Sequence, residues 1–539
     1  MQSRQSRVRF GGLAAAAISA ITGLSLIGLT PVASSAASAV TVPAKPYDFN
    51  GDGFTDLAIG SPYGTVSGLK YAGFVNVIYG SSTGLNTAKH QVFSQNTAGV
   101  PGSAETSDHF GYSLTSGDFD HDGYADLAVG VPDEDTTNGA NAGTIDFLWG
   151  SPSGLSAAQS SAADEFGAPG AAHRWGETLA VGDLEHDGWP ELFITTPGTS
   201  NFAWFFFGPD APASTAPTAS AAKSTATGGR AAHPGKAVSR SAAKEVRGAG
   251  AKATESRVGT LSATDVNNSW LATGDVTGDG HDDVVYAWND TDAATVEEQH
   301  GFIVFPGEVP AGATQGDLDT DAAVEVFTQV SSVTVADFEG DGFGDVAVGQ
   351  AGDALRVGGQ VQVFKGAATN VSADTSGSYL VNQDTPSVPG AGEAGDAFGA
   401  SVAAGDINKD GKPDLVIGAP GEDVGTVADA GATFFVLGSA TGLTGTGSQA
   451  ITQNTAGVPG GAEKGDKLGT QVTLLDNNQD GFADLTTGAP AENAGDGMIS
   501  WLKGTTTGVT GTGSLGIGSG TFGVTGKKAE IGRRLGRLG

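Results

Sequence analysis

Asp118, Asp120, Asp122 and Asp126 occupy positions 1, 3, 5 and 9 of one nine-residue stretch, DFDHDGYAD, and Gly123 occupies position 6. Side-chain oxygens on alternate residues of a tight turn can converge on one hard cation. Calcium takes six to eight oxygens, and a glycine permits the sharp bend. Position 7 would add a backbone carbonyl. Magnesium prefers a rigid octahedron that keeps several waters, and zinc would want histidine or cysteine.

The same frame recurs along the chain. The ligand positions are Asp48, Asn50, Asp52 and Asp56; Asp118, Asp120, Asp122 and Asp126; Asp183, Glu185, Asp187 and Glu191; Asp275, Thr277, Asp279 and Asp283; Asp337, Glu339, Asp341 and Asp345; Asp406, Asn408, Asp410 and Asp414; and Asp476, Asn478, Asp480 and Asp484. Asp, Asn and Gly also make good turns without any ion. Turn propensity, however, does not call for three or four carboxylates packed together in every copy. The frame therefore predicts four to seven calcium ions per chain. The loops at Asp183 and Asp275 are expected to be the weakest, the first for its longer Glu arms and the second for the neutral Thr277.

Something must hold these loops at a fixed spacing. Their starts lie 70, 65, 92, 62, 69 and 70 residues apart, and such a period is the signature of a repeat architecture. Each loop runs into a short apolar strand (DLAIG, DLAVG, DVAVG, DLVIG). An alternating strand ending in glycine follows (FVNVIYG, TIDFLWG, QVQVFKG), and then a more polar fourth strand. Strands of this length between Gly-rich turns read as four-stranded antiparallel units. Seven of them suggest an all-β, seven-bladed β-propeller over residues 44–539, because one such sheet cannot bury both of its faces alone. Phe110, Trp175, Phe398 and Leu468 each precede a loop Asp by eight positions, and each is followed by Gly. The first unit lacks that strand. Ile531-Gly532-Arg533-Arg534-Leu535 has its pattern, so the C-terminal strand is expected to complete blade one.

Two segments stand apart. Residues 1–39 read as a cleaved secretory signal: Arg4, Arg7 and Arg9, a charge-free apolar run over 11–29, then Ala37-Ser38-Ala39. No later stretch is apolar enough to span a membrane. Residues 208–259, between blades three and four, are rich in Ala, Ser and Gly, carry eight basic side chains and have almost no large apolar ones. They are expected to be a disordered basic insertion.

The formal charge of −33 disfavours nucleic acid and suits cations or cationic partners. With no cysteine, there are no disulfides and no thiolate chemistry. Neither a G-x-S-x-G elbow nor an HExxH helix is present. His121, His186 and His281 fall inside the acidic loops and are expected to face solvent.

Phe110-Gly111 with Gly130-Val131-Pro132, Phe398-Gly399 with Gly418-Ala419-Pro420, and Leu468-Gly469 with Gly488-Ala489-Pro490 each flank an acidic loop. This pattern resembles the FG-GAP repeats of the integrin α-subunit N-terminal propeller. Units three to five depart from it; unit three has Thr195-Thr196-Pro197 and unit five has Gly349-Gln350-Ala351. The resemblance implies a seven-bladed propeller, calcium in the loops, and adhesion or extracellular recognition. The expected protein is a secreted monomer and a non-enzymatic binding module for an extracellular protein or glycan. The alternative is a calcium-dependent lectin that binds sugar between blades, with Trp149, Trp204 and Trp501 as candidate platforms; an extracellular hydrolase is a third reading.

Overall fold

After position 9 of each loop the chain turns apolar and branched, and it forms a strand buried on both sides. Leu57–Ser61, Asp126–Val131, Asp345–Gln350, Asp414–Ala419 and Asp484–Ala489 have no exposed residue. Burial on both faces requires neighbouring sheets above and below, and that is the arrangement of a β-propeller. The structure is a computed structural model. It describes residues 43–308 and 317–536, apart from 138, 157, 163–173, 197–200, 207–232, 235–237, 240–243, 247–265, 291–299, 320–321, 372–376 and 525–527. The leader expected over 1–39 lies outside the described residues. Among the described residues no helix is long and apolar enough to cross a membrane.

The sheets are antiparallel and follow chain order. In the second, Ser113–Gly117 pairs with Asp126–Val131, which pairs with Thr144–Leu148, which pairs with Ala158–Ala162. The sheets that start at Ser332–Ala336, Ser401–Gly405 and Val472–Leu475 repeat this four-strand order. In the first sheet, Leu57–Ser61, Phe74–Tyr79 and Asn86–Phe93 are joined by Arg534–Leu535 from the far end of the chain, with Ile59 opposite Leu535 and Gly60 opposite Arg534. The C-terminal segment thus supplies the missing strand.

The uniform four-stranded unit needs correcting at two places. The sheets that start at Leu179–Gly182 and Val266–Gly274 each have five strands. Most of 208–259 lies outside the described residues, but short pieces of it supply the extra strands. His233–Pro234 and Val238–Ser239 both pair with Asn201–Phe206, and Lys244–Val246 pairs in parallel with Val324–Phe327. The only described helical turn is Glu492–Gly495.

The repeated glycines are explained by contact between sheets. A Cβ on Gly60 would lie 2.1 Å from the carbonyl oxygen of Gly111. The same approach recurs from Gly130 to Gly176, Gly349 to Gly399, Gly418 to Gly469, and Gly488 to Gly532, at 1.9–2.0 Å. The glycine near the end of each of these second strands therefore rests on the glycine that opens the next sheet, and no side chain fits between them. The Gly488–Gly532 contact places the C-terminal segment in this series. So does the bridge between Gly497 and Ile531, which matches those from Gly73 to Phe110 and Gly431 to Leu468. Gly488→Ala is expected to cost about 2–4 kcal/mol, because the obstacle is backbone and cannot rotate away. Thermal unfolding beside Gly461→Ala, where an added Cβ meets open space, checks this; equal melting temperatures would contradict it.

The cores lie between sheets. Trp288, Trp501, Phe49, Phe74, Phe110 and Phe302 are among the largest fully buried side chains, each contributing on the order of 2–3 kcal/mol by burial. A cavity of about 240 Å³ opens where the first strands approach one another, and Ser113, Thr178, Ser269, Ser332, Ser401 and Arg534 are among its lining residues.

Candidate metal centres

Every acidic loop takes one backbone form. Position 1 accepts two amides, those of positions 5 and 6. For Asp48 these are Asp52 at 3.1 Å and Gly53 at 3.0 Å, and for Asp118 they are Asp122 and Gly123, both at 3.1 Å. Asp183, Asp275, Asp337, Asp406 and Asp476 do the same at 2.7–3.1 Å. Each position 5 carboxylate accepts the amide of position 7, as Asp122 does from Tyr124 at 3.0 Å. Position 6 takes φ between +84° and +91° in all the loops, which is why it is glycine.

Position 9 is the buried end. Asp56 accepts the Phe49 amide at 3.0 Å with one oxygen and the Gly80 amide at 2.8 Å with the other. Asp126 accepts from Phe119 and Gly150, Asp414 from Ile407 and Gly438, and Asp484 from Asn477 and Gly504. This carboxylate fastens the loop to the next two strands, and being buried it resists ionisation. Burial pushes Asp56 up to about 8, Asp283, Asp414 and Asp484 to about 7, and Asp126 and Glu191 well above the carboxylate range. Asp345 rises to about 9, through burial and the neighbouring Glu339.

In three loops the acids at positions 1, 3 and 9 converge. One oxygen from each of Asp118, Asp120 and Asp126 lies within 4.8 Å of the other two, and the same holds for Asp183, Glu185 and Glu191 and for Asp337, Glu339 and Asp345. Two oxygens bound to one calcium at 2.3–2.6 Å can be no farther apart than about 5 Å, so each set fits a single ion. The longer Glu arms of the Asp183 loop do not prevent convergence. Position 5 (Asp122, Asp187, Asp341) is outside these sets, being turned to the position 7 amide. Asn or Thr holds position 3 in the loops at Asp48, Asp275, Asp406 and Asp476. There Asn50, Asn408 and Asn478 each bond the position 5 amide through Oδ1, at 2.8–3.0 Å.

Orphaned oxygens support the fit. Asp120 Oδ1 and Thr277 Oγ1 are buried at position 3 with no donor, which leaves lone pairs for a cation. Several loops also meet lysines that sequence spacing does not reveal. Lys365 contacts Glu339, Lys503 lies 2.9 Å from Asp480, and Lys409 donates to the Asp480 carbonyl at 2.7 Å. Lys365 directly follows the third strand of its unit and Lys503 lies within its own, so only the fold brings them over the loop.

The loop histidines are not uniformly turned to solvent. His186 is exposed, but His121 stacks on Trp189 with centroids 3.6 Å apart, and His281 Nδ1 lies 2.6 Å from the Leu184 carbonyl. Trp501 is buried and donates to Asn477 at 2.9 Å, so it offers no sugar platform. Trp149 stacks on Phe147, and the side chain of Trp204 lies outside the described residues.

A second group of side chains gathers near the cavity. Arg534 lies 4.4 Å over the Tyr112 ring and Arg533 lies 5.2 Å over Tyr63. Tyr63 meets Tyr71 and His109 edge-on, and His109 Nδ1 is 2.7 Å from Asp133, which also pairs with Arg174. Arg534 Nε is buried with no acceptor. Sequence reading misses this group because its members come from five separate segments.

The FG-GAP repeat family matches the chain at residues 46–78, 110–148, 398–436 and 468–500. The chain is 32% identical over 210 residues to integrin alpha-3 of Cricetulus griseus, covering 37% of this chain and 18% of that one. It is 38% identical over 91 residues to integrin alpha-5 of Xenopus laevis, covering 17% and 8%. It is 32% identical over 154 residues to phosphatidylinositol-glycan-specific phospholipase D of Mus musculus, covering 28% and 17%. The chain thus spans less than a fifth of each of these relatives. Among solved structures, rhamnogalacturonan lyase YesW aligns over 84% of this chain and 72% of its own at 11% identity and a TM-score of 0.35. A mutant of AofleA from Arthrobotrys oligospora aligns over 73% and 83% at 9% identity and a TM-score of 0.34. Likenesses this distant carry no argument about the site. The chain thus carries FG-GAP repeats in four of its seven units and is integrin-alpha-like over the aligned stretches.

Proposed function

We propose that the protein is a secreted, calcium-stabilised binding module: a ring of seven blades that recognises an extracellular protein or glycan, as in adhesion. The observation that carries this reading is the aromatic and arginine group at the cavity. Tyr71 is 47% exposed, Tyr63 meets it edge-on, Tyr112 meets the neighbouring His109, and Arg533 and Arg534 cap the rings of Tyr63 and Tyr112. Rings that present a flat apolar face beside forked donors suit sugar faces, peptide carboxylates and aromatic side chains. In a chain of net charge −33 this is a local concentration of guanidinium groups. The loops serve as structure in this reading, holding the blades while the opposite turns recognise the ligand. Integrin relatives favour recognition. The phospholipase D relative is named as an enzyme, but this chain spans only 17% of it.

Screening the calcium-loaded protein against immobilised glycans and extracellular matrix proteins, beside Tyr71→Ala, tests the assignment. Truncating an exposed interface tyrosine is expected to weaken binding tenfold or more. Retention on sugars alone would make the protein a lectin. Undiminished binding by Tyr71→Ala would move the site elsewhere, and turnover of a glycoside or ester panel would contradict a pure binding role.

A further inference from the structure

Gln95, Asp108 and Glu134 meet at the junction of the first and second sheets. The same three types meet again as Gln383, Asp396 and Glu422, and as Gln453, Asp466 and Glu492. In each set the glutamine follows the outer strand of one sheet. The aspartate precedes the opening Phe-Gly or Leu-Gly of the next sheet, and the glutamate lies in the loop after that sheet's second strand. Gln Nε2 donates to the Glu carboxylate at 2.7, 2.5 and 2.7 Å. One Asp oxygen accepts the amide of Glu105, Glu393 or Glu463, three residues earlier. The carboxyl groups of Asp396 and Glu422, and of Asp466 and Glu492, are within hydrogen-bonding reach of each other.

Three features show that a partner is missing. The glutamines are only 2–4% exposed and the aspartates only 3–4%. The carbonyl oxygens of Gln95, Gln383 and Gln453 are all buried with no donor. None of the six carboxyl groups has an ion-pair partner among the described residues; apart from His109 beside Asp108, the charged groups that act on them, such as Glu105, Glu393, Glu463 and Asp135, are acidic too. Two ionised carboxylates in contact repel strongly where at least one of them, here the aspartate, is buried. A shared proton would relieve one of them and still leave the glutamine oxygen bare. A water would serve the glutamine oxygen but neutralise nothing. A divalent cation does both, since its charge cancels the pair and it takes neutral carbonyl oxygens as readily as carboxylates.

We propose that each Gln–Asp–Glu set binds one hard divalent cation between adjacent sheets, forming a class of calcium site separate from the acidic loops. The ion joins the outer strand of one sheet to the opening and loop of the next, at a junction where the backbones already touch through glycine.

Equilibrium dialysis of the full-length protein with radioactive calcium tests this, comparing the wild type with Glu134→Gln/Glu422→Gln/Glu492→Gln, which leaves every loop ligand in place. The expected result is three fewer ions per chain at saturation; an unchanged count overturns the proposal. A second readout on the wild type decides the matter should the variant fail to fold. The infrared carbonyl band of protonated carboxyls is compared between the wild type and each single Gln variant that folds, in calcium. If Glu134, Glu422 and Glu492 contribute no such band, the cation assignment stands. A band lost on their substitution means that the junctions hold protons instead.

Discussion

In EDTA the melting temperature should fall as pH is raised from about 4 to 8, and millimolar calcium should abolish that fall. The position 9 carboxyls carry the argument. Burial lifts Asp56 to about 8 and Asp283, Asp414 and Asp484 to about 7, whereas the unfolded chain ionises them near about 4. A group whose folded pKa is raised keeps its proton longer in the native state, so stability is full below the unfolded value and declines as pH climbs toward the folded one. Calcium, if the loops hold it as proposed, reverses the preference by binding the ionised form. At a free concentration a hundredfold above Kd, each site contributes about 2.7 kcal/mol. Four or more sites should therefore raise the melting temperature at pH 8 by more than about 10 °C. A melt independent of both pH and calcium would reduce the loops to turns.

Removing residues 531–539 should cost as much or more. That segment supplies the fourth strand of the first sheet, the buried Ile531 and Leu535, and the Gly532 surface on which Gly488 rests. Its loss exposes the inner edge of Leu57–Ser61, and an unpaired edge invites aggregation. The shortened chain is expected to melt at least about 10 °C lower or to aggregate, and a synthetic peptide of 531–539 should restore part of the loss. Unchanged thermal unfolding of the shortened chain would show that the strand pairing is not needed for closure.

Much of this was legible in the chain because each loop is a local object. Alternating acids around a left-handed glycine imply the turn, and the apolar run after position 9 implies a buried strand. The segment from Ile531 to Leu535 carried the long-range message, since its place in the repeat pattern was enough to pair Arg534 and Leu535 with the first sheet. The rest depended on packing between units. Nothing near Lys365 or Lys503 says that these side chains reach the acidic loops, and Arg534 meets Tyr112 only because Arg534–Leu535 joins the first sheet. The third and fourth sheets misled for a different reason. The composition of 208–259 argues against a core, but edge pairing needs only backbone amides and carbonyls, and His233–Pro234, Val238–Ser239 and Lys244–Val246 supply them. The position 5 acids read as equal ligands in sequence, yet in each converging loop they turn to the amide two residues on.

Anomalous diffraction from crystals grown in calcium tests most directly whether the repeated acidic loops hold calcium, as proposed. Anomalous peaks are expected among Asp118, Asp120 and Asp126, among Asp183, Glu185 and Glu191, and among Asp337, Glu339 and Asp345. Loops that hold only water, with no anomalous signal at saturating calcium, would contradict it.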